Sequence, residues 1–386
     1  MVGYAFVIPI SRAGIVLFSA LVFITWLFSP SIKDDLKYLI KNKLTLLLGI
    51  FVGYTLIALL WSSNLDDGVH YAKRYWYYLP MLVIATNLKK ENLNHVISAF
   101  LLSMLISEIL SYGMYFDLVD IKNGATPFPV PFMHHIQYSV FIVFTSIFLL
   151  NKIFYLDVWK HKILYSLFFM TVTMNIFING GRTGYIAFFI TLSVVAFLSI
   201  QNRLKAAMIA LIIMLSTLFV SYNYSTTFQQ RLHDSSDEIT AINKQDFTTS
   251  VGQRIALYKI GEDIISHHFF FGVGTGAEMD ALKKDVDTNF PQFSIVKDIS
   301  HFHNVFLHTM VQLGLVGVLL QIMIFYYLFK IEIKNRYYNN IKYAFATIYL
   351  LACFSGNMFH QQFTMALFSL IVGILLAISK MEKLAK

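Results

Sequence analysis

The sequence predicts an all-α polytopic membrane protein, with about eleven or twelve transmembrane helices and one long polar loop that is itself helical. Of its 386 residues, 57% are hydrophobic and only 13% are charged, and the mean hydropathy is +0.61. Soluble domains average about 25% charged residues. Apolar runs of about 20 residues, long enough to cross a bilayer, recur along the chain. A backbone in lipid must satisfy its own hydrogen bonds, which favours helices for every span.

Eleven apolar runs are predicted as spans. They lie at roughly 13–29, 44–61, 71–86, 93–116, 132–150, 163–179, 183–200, 204–222, 303–329, 341–356 and 361–379. Residues 2–10 are also apolar but short, and Pro9 and Arg12 separate them from the next run. They are a candidate for a twelfth, partial span.

The loops alternate in charge, and this alternation predicts the orientation. Eighteen of the 30 basic residues lie in one alternating set of short segments, which begins with Lys33 and ends at the C-terminus. Short loops rich in Lys and Arg stay in the cytoplasm. The long loop then faces outward, which in a bacterium means the periplasm or outer face. We divide the chain into a bundle (1–222), the loop (223–302) and the C-terminal helices (303–386). The net charge of +8 reflects cytoplasmic lysines, and no nucleic-acid partner is expected.

The long loop contains seven basic and eleven acidic residues. It is therefore not a general anion-binding surface, and any anion site in it must use a few chosen cations. Residues 250–268 have the apolar spacing of an amphipathic helix, with Thr249 or Ser250 as the N-cap.

Five cations near the outer face are candidates for phosphate binding. Arg182 lies in a tight turn between two spans, where an arginine is costly unless it is paired or solvated. Arg254 lies near the start of the loop helix, where the helix dipole also favours anions. Arg231, Lys73 and Arg74 lie close to span ends. Guanidinium groups suit phosphate. The competing interpretation is anchoring to lipid headgroups for Arg182, Lys73 and Arg74, and a solvated surface for Arg254.

A polar segment opens the span at 303–329. His303 is a candidate base there, because a neutral imidazole accepts a proton at neutral pH; alternatively, it only bonds the backbone at the helix start. The spacing of His301, His303 and His308 does not put all three on one helical face, so we expect no metal. Gly314 and Gly317 would let another helix or a lipid chain approach closely.

These residues resemble the bacterial O-antigen ligase family. His303-Asn304, nine residues, Gly314, two residues and Gly317 match its pattern H-[NSQ]-x9-G-x2-[GTY], directly after the long loop. Gly252-Gln-Arg-Ile-Ala-Leu-Tyr258 is similar to the family's arginine helix, and Phe271-Gly-Val-Gly-Thr-Gly276 to its glycine turn. Gly181-Arg-Thr-Gly184 resembles its small-residue/arginine turn. The resemblance implies a GT-C-like glycosyltransferase architecture.

The resemblance also implies a reaction, in which a glycan leaves undecaprenyl diphosphate and joins a sugar hydroxyl of lipid A–core. Arg182, Arg254 and Arg231 would neutralise the diphosphate without a metal ion or other cofactor, while membrane lipids surround the site. His303 would orient or deprotonate the acceptor hydroxyl, and a single displacement would invert the anomeric carbon. Asn304 would fix the imidazole tautomer or bond the glycan.

Three alternatives remain open. O-antigen polymerases use the same donor but match the His-Asn pattern less well, and protein O-oligosaccharyltransferases commonly add a C-terminal soluble region that this sequence lacks. A lipid-linked sugar flippase is the non-enzyme alternative, although transporters often place charges near the membrane midplane. The sugars and the oligomeric state are not predicted.

Overall fold

The computed structural model describes residues 1–121, 128–244 and 246–384. This part of the chain contains α-helices and short 3₁₀ turns and no strand, as predicted. The helices are α1 (Val2–Val7), α2 (Arg12–Leu27), α3 (Ile32–Lys41), α4 (Lys43–Ile57), α5 (Leu65–Lys73), α6 (Leu79–Asn87), α7 (Lys90–Tyr115), α8 (His135–Phe154), α9 (Trp159–Ile178), α10 (Arg182–Ser199), α11 (Arg203–Tyr224), α12 (Thr226–Asn243), α13 (Ser250–His267), α14 (Glu278–Thr288), α15 (Val305–Phe329), α16 (Arg336–Cys353) and α17 (Gln362–Leu384).

Eight helices in the described ranges are long and apolar enough to cross a membrane, which makes the chain a polytopic membrane protein. They are α4 with its 3₁₀ extension to Trp61, α7 to α11, α15 and α17. A bent pair, α2 and α3, meets at 109° and supplies a ninth if it is one span. The predicted span at 71–86 is broken: α5 ends at Lys73, a 3₁₀ turn covers 74–78, and α6 follows. Residues 2–7 form only a short helix, packed on α7.

The centre of the bundle is formed by α8 and α17. Almost all of α17 and most of α8 are buried by other helices, whereas α11 is largely exposed at the edge. Helix α17 packs along α6, where Gly373 lies so close to Ile84 that a Cβ there would come within 2.8 Å of the Ile84 side chain. The bundle is thus assembled around its C-terminal helix.

The basic loops gather at one end of the bundle. Lys41, Lys43, Lys330 and Lys383 line one cavity at that end, although they are far apart in sequence. The long loop and the starts of α8 and α10 lie at the opposite end. These four lysines come from three of the predicted basic segments, and helices α4 and α15 separate them from the long loop.

The long loop folds as a small helical layer with its own core. Leu257, Ile260 and Ile264 of α13 pack against Leu282 and Val286 of α14. Thr249 caps α13 by accepting a hydrogen bond from Gly252 N at 3.1 Å, so the predicted helix and cap are confirmed. The same core includes Val311 of α15, which ties the loop to the span that follows it.

Helix α15 is broken at Gly314, which has φ +65° and ψ −163°. The freed backbone groups pair with the preceding loop: Val273 N donates to Val311 O at 2.9 Å, and Leu315 N donates to Phe269 O at 2.9 Å. A Cβ on Gly314 would come within 2.4 Å of the Phe270 backbone. The predicted close approach therefore occurs, and its partner is the backbone of the loop.

Candidate active site

Arg182 is the first residue of α10, after a turn in which Gly180 has φ +72°. A Cβ on Gly180 would overlap the Phe128 ring, so glycine is required there. The Arg182 guanidinium makes a two-pronged ion pair with the nearly buried Glu238 of α12, in which one N–H···O distance is 3.1 Å. Helix α12 thereby places a carboxylate where a phosphate could also bind.

Arg231 is held against the same turn. Its Nε donates to Gly180 O at 3.1 Å, and its guanidinium lies 4.5 Å from the centre of the Phe128 ring. A longer contact of 3.4 Å joins it to Asp234. These contacts use most of the N–H donors of Arg231, so this residue stabilises the turn that precedes Arg182.

Arg254 lies in the second turn of α13 and is half-buried. Burial, followed by the positive charge of nearby Arg182, lowers its pKa, whereas Tyr258 and Glu238 act in the opposite direction. It has no hydrogen bond or ion pair within the described ranges. Two guanidinium groups close together, with one of them unpaired, form a site that favours an anion between them.

His303 lies immediately before α15 in a left-handed conformation, with φ +51°. Such a conformation is uncommon for a residue other than glycine and recurs at functional sites. Burial, then the charge of Arg254 and then His134, lower the pKa of His303 to about 4; a backbone contact with Ser355 raises it. Its Nδ1 atom is buried and has no partner in the described part of the chain. His303 is therefore neutral at pH 7 and close to Arg254.

Asn304 is the N-cap of α15, and its Oδ1 accepts hydrogen bonds from Phe306 N at 2.9 Å and Leu307 N at 3.2 Å. Its Nδ2 donates to the hydroxyl of Tyr258. Tyr258 follows Arg254 by one turn of α13. No hydrogen bond among the described residues joins Asn304 to the His303 imidazole, so its amide does not fix the tautomer. It joins α13 to the start of α15.

Gly314 and Gly317 lie further along α15 than the candidate base. Gly314 provides the break described above, and Gly317 packs under Leu313 and Thr309 of its own helix. Their contacts are with backbone and apolar side chains, so the two glycines shape the span and do not contribute polar groups to the site.

Lys73 and Arg74 face a different cavity of about 710 Å³, at the same end of the bundle. The positive charge of Arg74 contributes to lowering the pKa of His360, which stacks on Tyr71 with ring centres 3.4 Å apart. These two cations are thus near the arginine and histidine group but outside it.

Sequence patterns did not single out two carboxylates. Glu238 binds Arg182, and Glu278 lies buried with its Oε1 3.7 Å from His308 Nε2. Burial raises the pKa of Glu278 to about 7. In the sequence, Glu238 and Glu278 are two of the eleven acidic residues of the long loop and stand in no recognisable motif. The one available signal for Glu278 was its place directly after the glycine turn, where Gly276 N donates to its Oε2 at 2.9 Å.

The arrangement can bind a diphosphate and hold a hydroxyl. Arg182 and Arg254 converge from two helices, and a neutral imidazole lies beside Arg254. In the described ranges, no three His, Cys, Asp or Glu side chains are grouped so as to hold a metal ion.

Part of the chain is similar to a known protein family. Residues 167–322 match the family model described as O-antigen ligase. The match begins within α9 and ends within α15, so it includes Arg182, Arg231, Arg254 and His303. No curated protein matches the chain.

Proposed function

We propose that this protein is an O-antigen ligase, because residues 167–322 match the family model described as O-antigen ligase. It transfers a glycan from undecaprenyl diphosphate to a sugar hydroxyl of lipid A–core, at the periplasmic face of the bacterial inner membrane. A glycosyltransferase-type activity follows from the family. The observation that carries the finer proposal is Arg254, an unpaired arginine close enough to both Arg182 and the neutral His303 for their charges to interact.

Arg182 and Arg254 bind the diphosphate of the donor. Arg254 has no internal counter-ion, and its pKa is lowered partly by Arg182, so an anion that lies between them removes a repulsion. Planar guanidinium groups form two-pronged contacts with phosphate oxygens, and such contacts strengthen as the leaving group gains charge. The proposed reaction therefore draws its charge neutralisation from arginine and is metal-independent.

His303 accepts the proton of the acceptor hydroxyl. The acceptor oxygen attacks the anomeric carbon while the bond from that carbon to the diphosphate oxygen breaks, and the electron pair of that bond stays on the diphosphate. The hydroxyl proton passes to the imidazole. A single displacement inverts the configuration at the anomeric carbon. A free imidazole with a pKa of about 4 is a weak base. The bound diphosphate, being negative, raises this pKa towards neutrality.

The test uses purified protein with a lipid-linked glycan and three separate acceptors: lipid A–core, a second lipid-linked glycan and a pilin-like protein. Glycan on lipid A–core supports the ligase. Polymer on undecaprenyl diphosphate identifies a polymerase, and glycosylated protein identifies a protein O-oligosaccharyltransferase. If no acceptor is modified while the lipid-linked glycan moves between leaflets of a proteoliposome, the protein is a flippase.

Two variants test the assigned roles within that assay. His303→Ala should abolish transfer and remove smooth lipopolysaccharide from cells, with expression unchanged; a persisting ladder contradicts the mechanism. Arg254→Lys keeps the charge but loses the planar fork, so kcat/KM should fall roughly 10- to 100-fold. Lys283→Arg, an exposed change on α14, is the matched control and should leave kcat/KM unchanged. Loss of activity with EDTA and its recovery with a divalent ion would contradict the metal-independent step.

A further inference from the structure

The cavity beside Lys73 and Arg74 is separate from the arginine and histidine group. It has a volume of about 710 Å³ and lies among the starts of α2 and α8, the 3₁₀ turn at 74–78 and the start of α17. Its size fits a headgroup larger than a single phosphate ion. None of Arg182, Arg231, Arg254 or His303 lines it.

The cavity gathers positive charge without an internal counter-ion. Arg12, Lys73 and Arg74 line it together with His70, and none of the four has an ion pair with a carboxylate in the described part of the chain. The Arg74 guanidinium donates a hydrogen bond to His70 Nε2 at 3.4 Å, so the positive charge of the lining comes from Arg12, Lys73 and Arg74. Like charges repel, so this grouping favours a bound anion.

Two glutamine side chains add a second, independent observation. Gln137 of α8 and Gln361, just before α17, line the cavity, and the Oε1 atom of each is buried without a hydrogen-bond partner in the described ranges. Buried polar atoms are normally paired, so each orphan indicates a missing donor. The amides of Gln137 and Gln361 also give the lining neutral hydrogen-bonding groups, which suit a ligand with hydroxyl groups as well as negative charge.

The wall of the cavity is suited to a lipid. Trp76, Tyr77 and Phe363 line it beside the cations. Aromatic residues of this kind concentrate at membrane–water interfaces, where lipid headgroups lie. A membrane-anchored phosphorylated glycolipid combines the negative charge, the hydroxyl groups and the apolar part that the lining requires.

The cavity is connected to the candidate base by a short loop. Residues 354–361 join α16 to α17; the backbone of Ser355 contacts His303, whereas Gln361 lines the cavity. A lipid whose phosphate occupies the cavity reaches His303 only if its sugars extend along this loop.

We propose that this cavity binds the phosphate-bearing headgroup of the acceptor glycolipid, in a site separate from that of the donor diphosphate. The assignment of the bound lipid as acceptor rests on the proposed ligase function. The phosphate-dependent binding itself does not, because it requires no donor and no turnover.

The experiment measures lipid binding by native mass spectrometry, with the full chain in phosphatidylcholine nanodiscs and no donor. The probes are lipid A with both phosphates, the same lipid A after removal of both phosphates, and phosphatidylglycerol. The double variant Lys73→Gln/Arg74→Gln is compared with Lys283→Gln/Lys284→Gln, two exposed lysines on α14. Arg12→Gln, on a different helix, is a second, independent variant.

Wild-type protein should bind phosphorylated lipid A at least about tenfold more tightly than the dephosphorylated lipid, since charge-assisted contacts are lost with the phosphates. The Lys73/Arg74 double variant should lose this difference, Arg12→Gln should reduce it, and the α14 control should keep it. Equal binding of the two lipid A forms overturns the site. Equal affinity for phosphatidylglycerol overturns the acceptor assignment, because the cavity would then hold any anionic headgroup. Retained phosphate-dependent binding without transfer would count against the ligase function alone.

Discussion

The carboxamide of Asn304 donates a hydrogen bond to the hydroxyl of Tyr258, one helical turn beyond Arg254. Asn304 also caps the helix that follows His303. Together with the shared core that includes Val311, this contact sets the loop helix that carries the arginine against the residue that precedes the span. The relative position of the proposed diphosphate ligand and the proposed base therefore depends on a phenol that neither substrate has to touch.

Tyr258→Phe should slow transfer without unfolding the protein. A neutral hydrogen bond contributes about 0.5–1.5 kcal/mol, so kcat should fall roughly two- to tenfold as the spacing of Arg254 and His303 loosens. Steady-state kinetics with lipid-linked glycan measures the effect. Tyr222→Phe, an exposed tyrosine at the end of α11, is the control. A variant with wild-type kcat would show that the contact has no positioning role.

Glu238→Gln should lower the KM for the donor. Glu238 occupies the guanidinium of Arg182 in the free protein, so an incoming phosphate must displace it. Removal of the carboxylate charge should reduce KM roughly three- to tenfold. Asp237→Asn changes the neighbouring exposed carboxylate, which faces His233 instead, and should have no effect. An unchanged or higher KM in the Gln variant would mean that Glu238 does not compete with the donor.

Acidification should destabilise the protein. Burial is the main cause that lowers the pKa of His301 to about 3, of His303 to about 4 and of His360 to about 3, from an ordinary value of 6.5. Between about pH 4 and pH 6.5 the unfolded chain binds more protons than the folded one, so stability is present above pH 6.5 and is lost as the pH falls. Each histidine contributes roughly 1–2 kcal/mol to this loss between pH 7 and pH 5.

The measurement is the apparent Tm of detergent-solubilised protein at a series of pH values. His303→Gln should show a shallower decline than wild-type protein, because one depressed pKa is gone. His95→Gln, at an exposed position near the start of α7, should keep the wild-type slope. Parallel curves for His303→Gln and wild-type protein would contradict the assignment of a lowered pKa to His303.

Gly314→Ala should be strongly destabilising. The residue needs φ +65°, and a Cβ would come within 2.4 Å of the Phe270 backbone, which cannot move aside as a flexible side chain could. We expect a loss of at least about 2 kcal/mol, seen as a lower Tm and a lower folded yield. Gly49→Ala places a methyl group in open space on α4 and should be neutral or slightly stabilising. Equal yields for the two variants would refute this account of the break.

The fold could be predicted from sequence because lipid leaves few choices. Apolar length and loop charge identified the long spans, and the spacing in 250–268 identified α13 with its cap at Thr249. The break in the helix between Lys73 and Leu79 was not predicted, because hydropathy averages over a window and does not detect a change from α to 3₁₀ geometry. Helix α2 has 16 residues and α1 has six, so neither reaches the length of a full span alone.

The candidate residues could be named from sequence, but their partners could not. Arg182, Arg254 and His303 carry local signals: a glycine turn, a helix start and a spacing pattern. The pairing of Arg182 with Glu238 joins residues 56 positions apart, and no local pattern encodes it. The separation of Lys73 and Arg74 from the other cations likewise depends on which helix ends, those of α2, α8 and α17, surround their cavity.

The break at Gly314 has a consequence for the order of assembly. The loop core includes Val311, and the backbone of 269–274 bonds to the segment around Gly314, yet α15 is synthesised after the loop. The loop therefore emerges before its last partners exist, and it completes its fold only when the next span has entered the membrane. In a chain truncated before residue 305, the loop should remain protease-sensitive, because insertion of the span supplies the last part of the soluble layer.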